Sequence, residues 1–462
     1  MKVVHVAAEC APFAKVGGLG DVLYGLSNNL MQLVDQVEVI LPKYKIIKLD
    51  SMKKKGGVDV FFDGKFQKIS IVQSMMTGGV ILTFIEAPYF FNRDEIYGYE
   101  DDITRFTFFC VAVIAYLKTK ETPPDIVHLH DWQTAIIPSL IKTKREMSSK
   151  TILTIHNLAY QGVCQKIDFE KIGLTTHGFI HEASLNLLNG GIVYADQLTT
   201  VSPTYAKEIL TKKHGEGLQN LLNQHREKLV GILNGIDYDY WNPMTDCHLP
   251  FHYGRSNLNN KKKNKLYLQK MLALNAEKKA PLVSTIARLV PQKGPELIKE
   301  AFVYTLKMGG QFVLLGSTAD PEWGRLFSDL KDQFANCPDV HFELSYNEPL
   351  SHLVYAASDF FVVPSHFEPC GLTQMIAMHY GAVPIVRETG GLIDTVFNEK
   401  NGFTFQIPTG EALTTTLKKA FKTFEENEKL KQMIAFGMEK DVSWNHPAKQ
   451  YLDLYKGVLS LR

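Results

Sequence analysis

The sequence lacks the usual signs of a secreted, membrane-spanning or nucleic-acid-binding protein. Its 462 residues include only six cysteines, widely scattered with no Cys-x-x-Cys pair, which argues against both a zinc knuckle and a disulfide framework. The longest strongly apolar stretch, from Phe106 to Leu117, is shorter than the about 20 residues that a bilayer crossing needs. Fifty Lys and Arg against 49 Asp and Glu leave a formal charge of +1, so no global positive field attracts nucleic acid.

The beginning of the chain gives no sign of a targeting segment. Residues Met1 to Ala8 contain one lysine and then a strand-like segment, without a longer apolar stretch that ends at a small-residue cleavage site. We therefore expect no secretory signal. Together with the unpaired cysteines, this predicts a cytoplasmic protein with neither membrane nor nucleic acid as a partner.

The composition is that of an ordinary globular protein, with 45% hydrophobic and 21% charged residues, and the length suggests two or three domains. Short runs rich in Val, Ile and Leu alternate with segments of helical period, a pattern typical of buried parallel strands joined by helices. Each half of the chain is thus predicted to form its own doubly wound α/β sheet. The predicted strands are Lys2–Ala8, Val37–Leu41, Val80–Glu86, Ile126–Leu129, Thr151–Ile155, Gln197–Val201, Pro281–Ile286, Gln311–Leu315, Val340–Leu344, Phe360–Val363 and Val383–Val386.

The best candidate for a linker between the halves is Asn242–Lys265, which is poor in core-forming residues and contains three consecutive lysines. We therefore predict domains at residues 1–242 and 243–446. A last helical stretch, residues 447–462, must pack against another element because it carries an apolar face.

A glycine-rich loop follows the first strand. Residues Lys15–Val22 read Lys-Val-Gly-Gly-Leu-Gly-Asp-Val, and such a loop lets backbone amides approach phosphate oxygens. A dehydrogenase would show Gly-x-Gly-x-x-Gly and a ribose-binding acid after the second strand, where Leu41-Pro42-Lys43 stands instead. We interpret the loop as a phosphate contact to which Lys15 adds a cation, with a purely structural turn as the alternative.

Histidines end two further strands. His128 and His130 share one strand face, which is compatible with a metal site, but no third ligand with a recognisable spacing accompanies them. We predict a polar wall and no metal. Because His156 ends the next strand at the same sheet edge, several polar groups there indicate a ligand site.

The second half carries cations and one acid in two strand-to-helix loops. Arg288 and Lys293 could neutralise a departing diphosphate without a metal, although a solvated cationic loop is the alternative. Residues Pro364–Gln374 read Pro-Ser-His-Phe-Glu-Pro-Cys-Gly-Leu-Thr-Gln, which predicts an acid, Glu368, beside amides at a helix N-terminus. The alternative is a capping loop in which Cys370 is merely buried.

Read in order, these motifs resemble the bacterial glycogen synthase and plant starch synthase family over essentially the whole chain. The resemblance rests on Lys15–Val22, His130–Trp132, His156–Gly162, Asn234–Asp237, Gln292–Gly294, Glu368–Gln374 and Thr389–Leu392. It implies a glycosyltransferase of the B-type fold, with two Rossmann-like domains facing a cleft and a final helix that returns to the N-terminal domain. The implied activity is that of a hexosyltransferase: metal-independent, retaining transfer of glucose from ADP-glucose to the non-reducing end of an α-1,4-glucan such as glycogen.

The resemblance also implies roles for individual residues. Catalytic roles fall to His156, Arg288, Lys293, Glu368 and Asp131. Donor-binding roles fall to Lys15, Gly17, Gly18, Asp21, Asn234, Tyr346, Cys370, Gly371, Leu372 and Thr373, with Tyr346 stacking on adenine. No metal and no cofactor are implied, since ADP-glucose is the donor substrate. Lys15, Asp21 and Asp131 would lie at the glucose and acceptor end.

Two other functions remain open at this stage. His366, Ser345 and Ala287 depart from the family pattern around the nucleotide pocket, so a related enzyme that uses UDP-glucose is one alternative. The other is a non-catalytic glucan-binding protein that uses aromatic side chains such as Trp132 and Tyr160 as sugar platforms. No pair of carboxylates at the spacing of a retaining hydrolase stands out, so we predict attack from the face that the nucleotide leaves.

Overall fold

Two α/β units make up the chain in the computed structural model, which describes residues 1–48, 52–144, 147–165, 169, 172, 174–318 and 320–460. The first unit comprises Met1–Gly235 with Trp444–Arg462, and the second comprises Ile236–Ser443. The first boundary thus lies ahead of residue 242. The reason is local: the backbone N–H of Ile236 donates to the carbonyl of Val442 at 2.8 Å, which ties this stretch into the second unit.

The first unit contains a nine-stranded sheet and a small three-stranded sheet. In chain order the strands are β1 (Lys2–Val6), β2 (Gln36–Pro42), β3 (Lys53–Phe62), β4 (Lys65–Met75), β5 (Ile81–Glu86), β6 (Ile126–His130), β7 (Lys150–Ile155), β8 (Val163–Cys164), β9 (Ile180–His181), β10 (Ser184–Asn186), β11 (Gln197–Thr200) and β12 (Leu229–Gly231). The large sheet has the order β12, β11, β7, β6, β1, β2, β5, β4, β3. Its strands run parallel except that β4 pairs antiparallel with both β3 and β5.

Helices join the parallel strands of this unit. They are α1 (Gly18–Met31), α2 (Pro88–Phe91), α3 (Asp102–Leu117), α4 (Ile137–Lys144), α5 (Leu187–Tyr194), α6 (Pro203–Glu208) and α7 (Gln219–Gln224). The central strands are rich in Val, Ile and Leu, and β6 and β7 are buried nearly throughout, as strands covered by helices on both faces must be. The predicted apolar stretch Phe106–Leu117 is the buried part of α3 rather than a membrane segment.

The second unit is built on one six-stranded sheet, parallel throughout. Its strands are β13 (Leu282–Arg288), β14 (Gln311–Ser317), β15 (Val340–Glu343), β16 (Phe360–Val363), β17 (Val383–Arg387) and β18 (Phe403–Phe405), in the order β15, β14, β13, β16, β17, β18. Its helices are α8 (Asn259–Met271), α9 (Pro295–Lys307), α10 (Pro321–Gln333), α11 (Glu348–Ala357), α12 (Thr373–His379), α13 (Gly390–Thr395), α14 (Gly410–Glu425) and α15 (Asn427–Glu439). Every strand predicted from an apolar run has a counterpart in one of the two sheets.

The predicted linker, Asn242–Lys265, is wrong. The segment folds into the second unit, and its lysine run opens α8. Buried Lys261 donates its ammonium to the carbonyl of Ala356 at 2.9 Å, at the carboxyl end of α11, where helical carbonyls lack intrahelical partners. Buried Asp246 is likewise satisfied, since it accepts hydrogen bonds from His352 and Tyr380.

The last helix, α16 (Asn445–Ser460), belongs to the first unit and packs on α1. Trp444, just ahead of it, fills the space beside Gly25, where an added Cβ would lie 2.1 Å from the indole nitrogen. Tyr455 bonds through its hydroxyl to Nδ1 of His128 at 2.7 Å. The apolar face of this segment therefore packs against the N-terminal sheet and helix.

Three features escaped the sequence patterns: the hairpin of β3 and β4, the small sheet, and the edge strands β12 and β18. Among the described residues, none of the helices combines the length and apolar character that crossing a bilayer requires.

Candidate active site

Loops at the carboxyl edge of the first unit's sheet carry the predicted site residues of that half. The glycine loop follows β1, Asp131 follows β6, His156 follows β7, and Asn234 follows the edge strand β12. Because β1, β6 and β7 are successive neighbours in a parallel sheet, their loops emerge side by side.

A buried carboxylate holds the glycine loop. Oε2 of Glu9 accepts hydrogen bonds from the N–H groups of Val16 at 2.7 Å and Gly17 at 3.0 Å, and Tyr97 donates to Oε1 at 2.8 Å. The N–H of Gly17 is therefore engaged within the protein. Gly18 is the first residue of α1, where helical N–H groups lack an intrahelical acceptor, so its amide is the one positioned for an anion. Glu9 was missed by sequence reasoning, although it directly follows the first strand.

Lys15 and Asp21 form an ion pair across this loop, with Nζ 2.8 Å from Oδ1 and both side chains partly exposed. Gly20 lies beneath the pair. An added Cβ there would approach Cγ of Lys15 at 3.2 Å and the backbone nitrogen of Ala11 at 3.3 Å. The third glycine of the motif thus allows Lys15 to fold back over the start of the helix.

Asp131 joins the loops after β6 and β7. Its Oδ1 accepts from the N–H groups of His156 at 2.7 Å and Asn157 at 3.4 Å, and its own backbone has a φ of 58°, which is unusual for a residue other than glycine. Burial raises the pKa of Asp131 to about 7, against the stabilising effect of these two hydrogen bonds. The carboxyl group therefore fixes the backbone of the His156 loop.

The imidazole of His156 is the end of a chain of three histidines. Its Nε2 lies 2.9 Å from Nδ1 of His130, and Nε2 of His130 lies 3.1 Å from Nδ1 of His5. Burial lowers the pKa of His5 and of His156 to about 3, and that of His130 well below its usual range. All three rings are consequently neutral at physiological pH.

The side-chain nitrogens of His5, His128 and His130 lie within 4.8 Å of one another, the most suggestive metal arrangement among the described residues. The donor set does not suit a cation. His128 uses both nitrogens, on Tyr455 and on Thr154, and both nitrogens of His130 are also engaged, which leaves only Nε2 of His5 without a partner. A polar wall describes it better.

In this unit Asn234 carries a buried hydrogen-bond acceptor that no donor contacts among the described residues. Its side chain is buried, with 4% of its surface exposed, and its Oδ1 has no hydrogen-bond partner among the described residues. A buried polar atom without a partner is costly, so such an atom in a native protein needs an explanation. A hydroxyl group of a bound ligand would supply the missing donor.

In the second unit Lys293 and Glu368 are brought together by neighbouring strands. Nζ of Lys293 donates to Oε2 of Glu368 at 2.6 Å, and the hydroxyl of Ser365 donates to the same oxygen at 2.9 Å. Nε of Arg387 binds the carbonyl of Ser365 at 2.6 Å. Ser365, which lies in the predicted loop but was not singled out there, and Arg387, which lies in no predicted motif, therefore hold the loop that carries the acid.

Three glycines let the backbone of the Glu368 loop be approached closely. A Cβ added to Gly294 would lie 2.6 Å from the carbonyl oxygen of Pro364. A Cβ added to Gly390 would lie 2.0 Å from the carbonyl oxygen of Glu368, and one added to Gly391 would lie 2.3 Å from that of Cys370. Gly294 also has a φ of 66°. The glycines of the Gln-Lys-Gly and Thr-Gly-Gly-Leu motifs thus leave room for this loop to pack closely against them.

The loop then enters α12. Helix α12 begins at Thr373 with Leu372 as the preceding cap residue, so their amides belong to the helix start as predicted from the sequence. Gly371 has a φ of 76°, and Cys370 is buried. The cysteine is a packed core residue of the loop rather than an exposed thiol.

The remaining predicted residues lie at the same edge of this sheet. Arg288 is the last residue of β13, and its exposed guanidinium makes no hydrogen bond or ion pair within the described part of the chain. Tyr346 follows the edge strand β15 and is 72% exposed. Ser345 beside it is turned back, because its hydroxyl donates to Glu343 at 2.6 Å.

Comparisons with known proteins agree with this arrangement. The family model described as the starch synthase catalytic domain matches residues 2–224, and the model of glycosyl transferases group 1 matches residues 269–436. The chain is 41% identical to a glycogen synthase of Protochlamydia amoebophila, over 99% of each chain. It is 43% identical to a probable starch synthase 4 of Arabidopsis thaliana, over 98% of this chain and 46% of that protein.

Solved structures give the same picture. The catalytic domain of starch synthase IV from Arabidopsis thaliana, bound to ADP and acarbose, superposes with a TM-score of 0.95 at 42% identity over 99% of each chain. A sucrose-phosphate synthase from Thermosynechococcus elongatus has a TM-score of 0.68 at 17% identity over the full length of both chains, and therefore shows a shared fold only.

Proposed function

The chain belongs to the glycogen synthase and starch synthase family of B-type glycosyltransferases, and we propose that it transfers glucose from ADP-glucose to the non-reducing end of an α-1,4-glucan. The transfer retains the configuration at the anomeric carbon and uses neither a metal ion nor a cofactor. The observation that carries this proposal is the meeting of Arg288, Lys293 and the start of α12 at the ends of the paired strands β13 and β16.

These groups suit a departing nucleoside diphosphate. Arg288 is a cation without a partner among the described residues, and Lys293, which is paired with Glu368, is a second cation in the same loop. The amides of Leu372 and Thr373 lie at the start of α12. Negative charge grows on the diphosphate as the glycosidic phosphate bond breaks, so fixed cations and amides stabilise the transition state more than the ground state. In this proposal they take the place of a metal ion. A further amide contact to the diphosphate is assigned to Gly18, at the start of α1.

The glucosyl group is assigned to His156, Asn234 and Glu368. Asn234 has an unmet buried acceptor, and His156 is a neutral imidazole held in place by Asp131 through its backbone and by His130 through its ring. Glu368 keeps one carboxylate oxygen, Oε2, on Lys293 and Ser365. Oε1 is the oxygen left for sugar hydroxyls. Lys15 and Asp21, paired above Gly20, are assigned to the glucose and acceptor end.

The hydrogen bonds of the carboxyl groups support front-face attack as the route to the proposed retention. A retaining hydrolase uses one carboxylate as a nucleophile and a second one as the acid. Here Asp131 accepts two backbone N–H groups and Glu368 is paired with a lysine, so neither is poised to attack. We therefore propose front-face attack: the acceptor hydroxyl bonds to the anomeric carbon as the bond to the phosphate oxygen breaks. That phosphate oxygen takes the hydroxyl proton, and the His156 backbone carbonyl stabilises the positive charge on the sugar.

The nucleotide base is assigned to Tyr346. Its exposed ring follows the edge strand β15, at the edge of the sheet to which the diphosphate is assigned. Ser345 and His366 are both held by acids, Glu343 and Glu296 respectively, so neither departure from the family pattern leaves a new unpaired donor beside the base. Support for ADP as the nucleotide comes from the similar starch synthase IV catalytic domain, whose solved structure is bound to ADP.

A non-catalytic glucan-binding protein is less well supported. Trp132, one of the aromatic platforms that such a protein would use, packs edge-on against Phe106. Gly162 also lies against the indole ring, since a Cβ added to this glycine would be 2.5 Å from it. A protein that only bound glucan would also have no use for a leaving-group site.

The proposal is tested by nucleotide release from purified protein with glycogen and EDTA, with ADP-glucose and UDP-glucose offered separately. We expect fast release of ADP coupled to glucan growth, and much slower release of UDP. Faster release from UDP-glucose overturns the assignment of the base, and a requirement for a divalent cation overturns the metal-free leaving-group site.

A further inference from the structure

Two histidines behind His156, namely His130 and His5, have no role in the reaction as described above, although they form a hydrogen-bonded chain with it. This chain runs from His5 at the centre of the sheet, through His130, to His156 at the carboxyl edge, with N···N distances of 3.1 and 2.9 Å. His5 and His130 lie on the paired strands β1 and β6 and are fully buried. Neither can touch a substrate directly, so any effect must pass through His156.

The number of protons on the three rings restricts the chain to two states. Each neutral imidazole carries one proton, and each N···N hydrogen bond needs one, so two protons lie in the bonds and the third lies at one end. In the first state every ring donates toward the site, and the third proton is on Nδ1 of His156. In the second state every ring donates inward, and the third proton is on Nε2 of His5.

The burial of His5 distinguishes these states. Nε2 of His5 is buried and has no partner among the described residues. In the second state it would be a buried N–H without an acceptor, the rarer kind of unpaired group in proteins. In the first state it is only an unused lone pair, and the third N–H lies on His156, which is partly exposed.

We propose that His5 and His130 are positioning residues that orient the ring of His156 and keep its proton on Nδ1, so that His156 offers a hydrogen-bond donor to an oxygen of the bound sugar. The assignment of that oxygen to the sugar rests on the proposed function, whereas the position of the proton does not. The backbone of His156 is fixed independently by Asp131, so the relay controls the ring alone.

A direct test is neutron crystallography of the wild-type protein exchanged into deuterium oxide, without substrate. The expected result is deuterium on Nδ1 of His156, on Nδ1 of His130 and on Nδ1 of His5. Deuterium on Nε2 of His156 overturns the proposal. Because the neutron experiment needs no turnover, its result is independent of the glucosyl-transfer activity.

The kinetic test compares His130→Gln with His128→Gln. Both histidines are buried and neutral on the same strand, but His128 bonds to Tyr455 and Thr154 and makes no hydrogen bond to His156. A flexible amide at position 130 no longer imposes a donor direction, so we expect kcat to fall roughly 10- to 100-fold with little change in KM for glucan. His128→Gln should keep a kcat close to wild type in its folded fraction. Equal losses of kcat in both variants overturn the relay, and if His130→Gln does not fold, the neutron map decides.

Discussion

Nζ of Lys293 lies 2.6 Å from Oε2 of Glu368, and this pair joins the two loops that follow β13 and β16. Glu368 is only 5% exposed, whereas the lysine side chain reaches the surface. The ammonium therefore has two tasks: it neutralises a buried carboxylate in the resting protein and contributes positive charge for the diphosphate.

Removal of Lys293 should consequently affect stability as well as catalysis. Lys293→Ala leaves the Glu368 carboxylate with Ser365 as its remaining side-chain donor, which should lower the free energy of unfolding by about 1 to 3 kcal/mol. The double variant Lys293→Ala with Glu368→Gln should recover most of that loss, because the buried charge is gone, yet remain inactive. Urea denaturation of the single and double variants measures the coupling. Additive losses would contradict the account of the pair.

Glu9 should control the glycine loop. Glu9→Ala leaves the N–H groups of Val16 and Gly17 without their acceptor, so the loop loses its shape and Gly18 its position. We expect KM for ADP-glucose to rise by roughly tenfold or more, since a hydrogen bond to a charged group contributes about 1.5 to 3 kcal/mol. Glu9→Gln, which keeps a carbonyl acceptor, should be milder. Steady-state kinetics with equal effects for the two variants would exclude this role.

The glycines beneath the Glu368 loop give a steric prediction. Gly391→Ala places a methyl group 2.3 Å from the carbonyl oxygen of Cys370, so the loop must move. Calorimetry should show weaker ADP binding and a lower melting temperature. Gly457→Ala is the matched control, because nothing lies within 4 Å of its added Cβ in helix α16. That change should stabilise the protein by up to about 1 kcal/mol and leave ADP binding unchanged. Unaltered ADP affinity in Gly391→Ala would contradict the role given to this glycine.

The raised pKa of Asp131 predicts that stability falls as the pH rises. Burial raises the pKa of its carboxyl group from 3.8 to about 7, so the folded protein holds this proton more tightly than the unfolded chain does. The stabilisation is therefore fully present below the unfolded pKa and is lost as the pH rises to about 7. Asp131→Asn should lack this loss, so the variant should gain stability relative to wild type as the pH rises from 3.8 to about 7. Denaturation midpoints measured across this range test it, and parallel pH profiles would refute it.

Most of the parallel strands could be predicted from the sequence because they are buried on both faces and rich in Val, Ile and Leu. The short parallel edge strands β12 and β18 were missed. The hairpin of β3 and β4 could not, since the first five residues of β3 are exposed and include three lysines and two glycines. Such a segment resembles a loop until its antiparallel partner is known.

The same limit explains the wrong linker. Three lysines at the start of α8 suggested a solvated segment, but Lys261 is buried because the carboxyl end of α11 supplies carbonyl acceptors. That partner is 95 residues away in sequence. Motif positions such as Lys293 and Glu368 could be found from their loops. Residues that support such motif positions, among them Glu9, Ser365 and His5, were not singled out in the sequence and are recognised only through the hydrogen bonds of the folded chain.

The central claim is front-face, metal-free transfer of glucose from ADP-glucose, and proton NMR of the first linkages formed tests it most directly. The protein would be supplied with ADP-glucose, a short α-1,4-glucan and EDTA, and the anomeric signals followed during the first turnovers. The account predicts new α-1,4 linkages at the non-reducing end in step with ADP release, with no glucosyl adduct on Glu368 or Asp131 by mass spectrometry. New β linkages, or a glucosyl group trapped on either carboxylate, would contradict it.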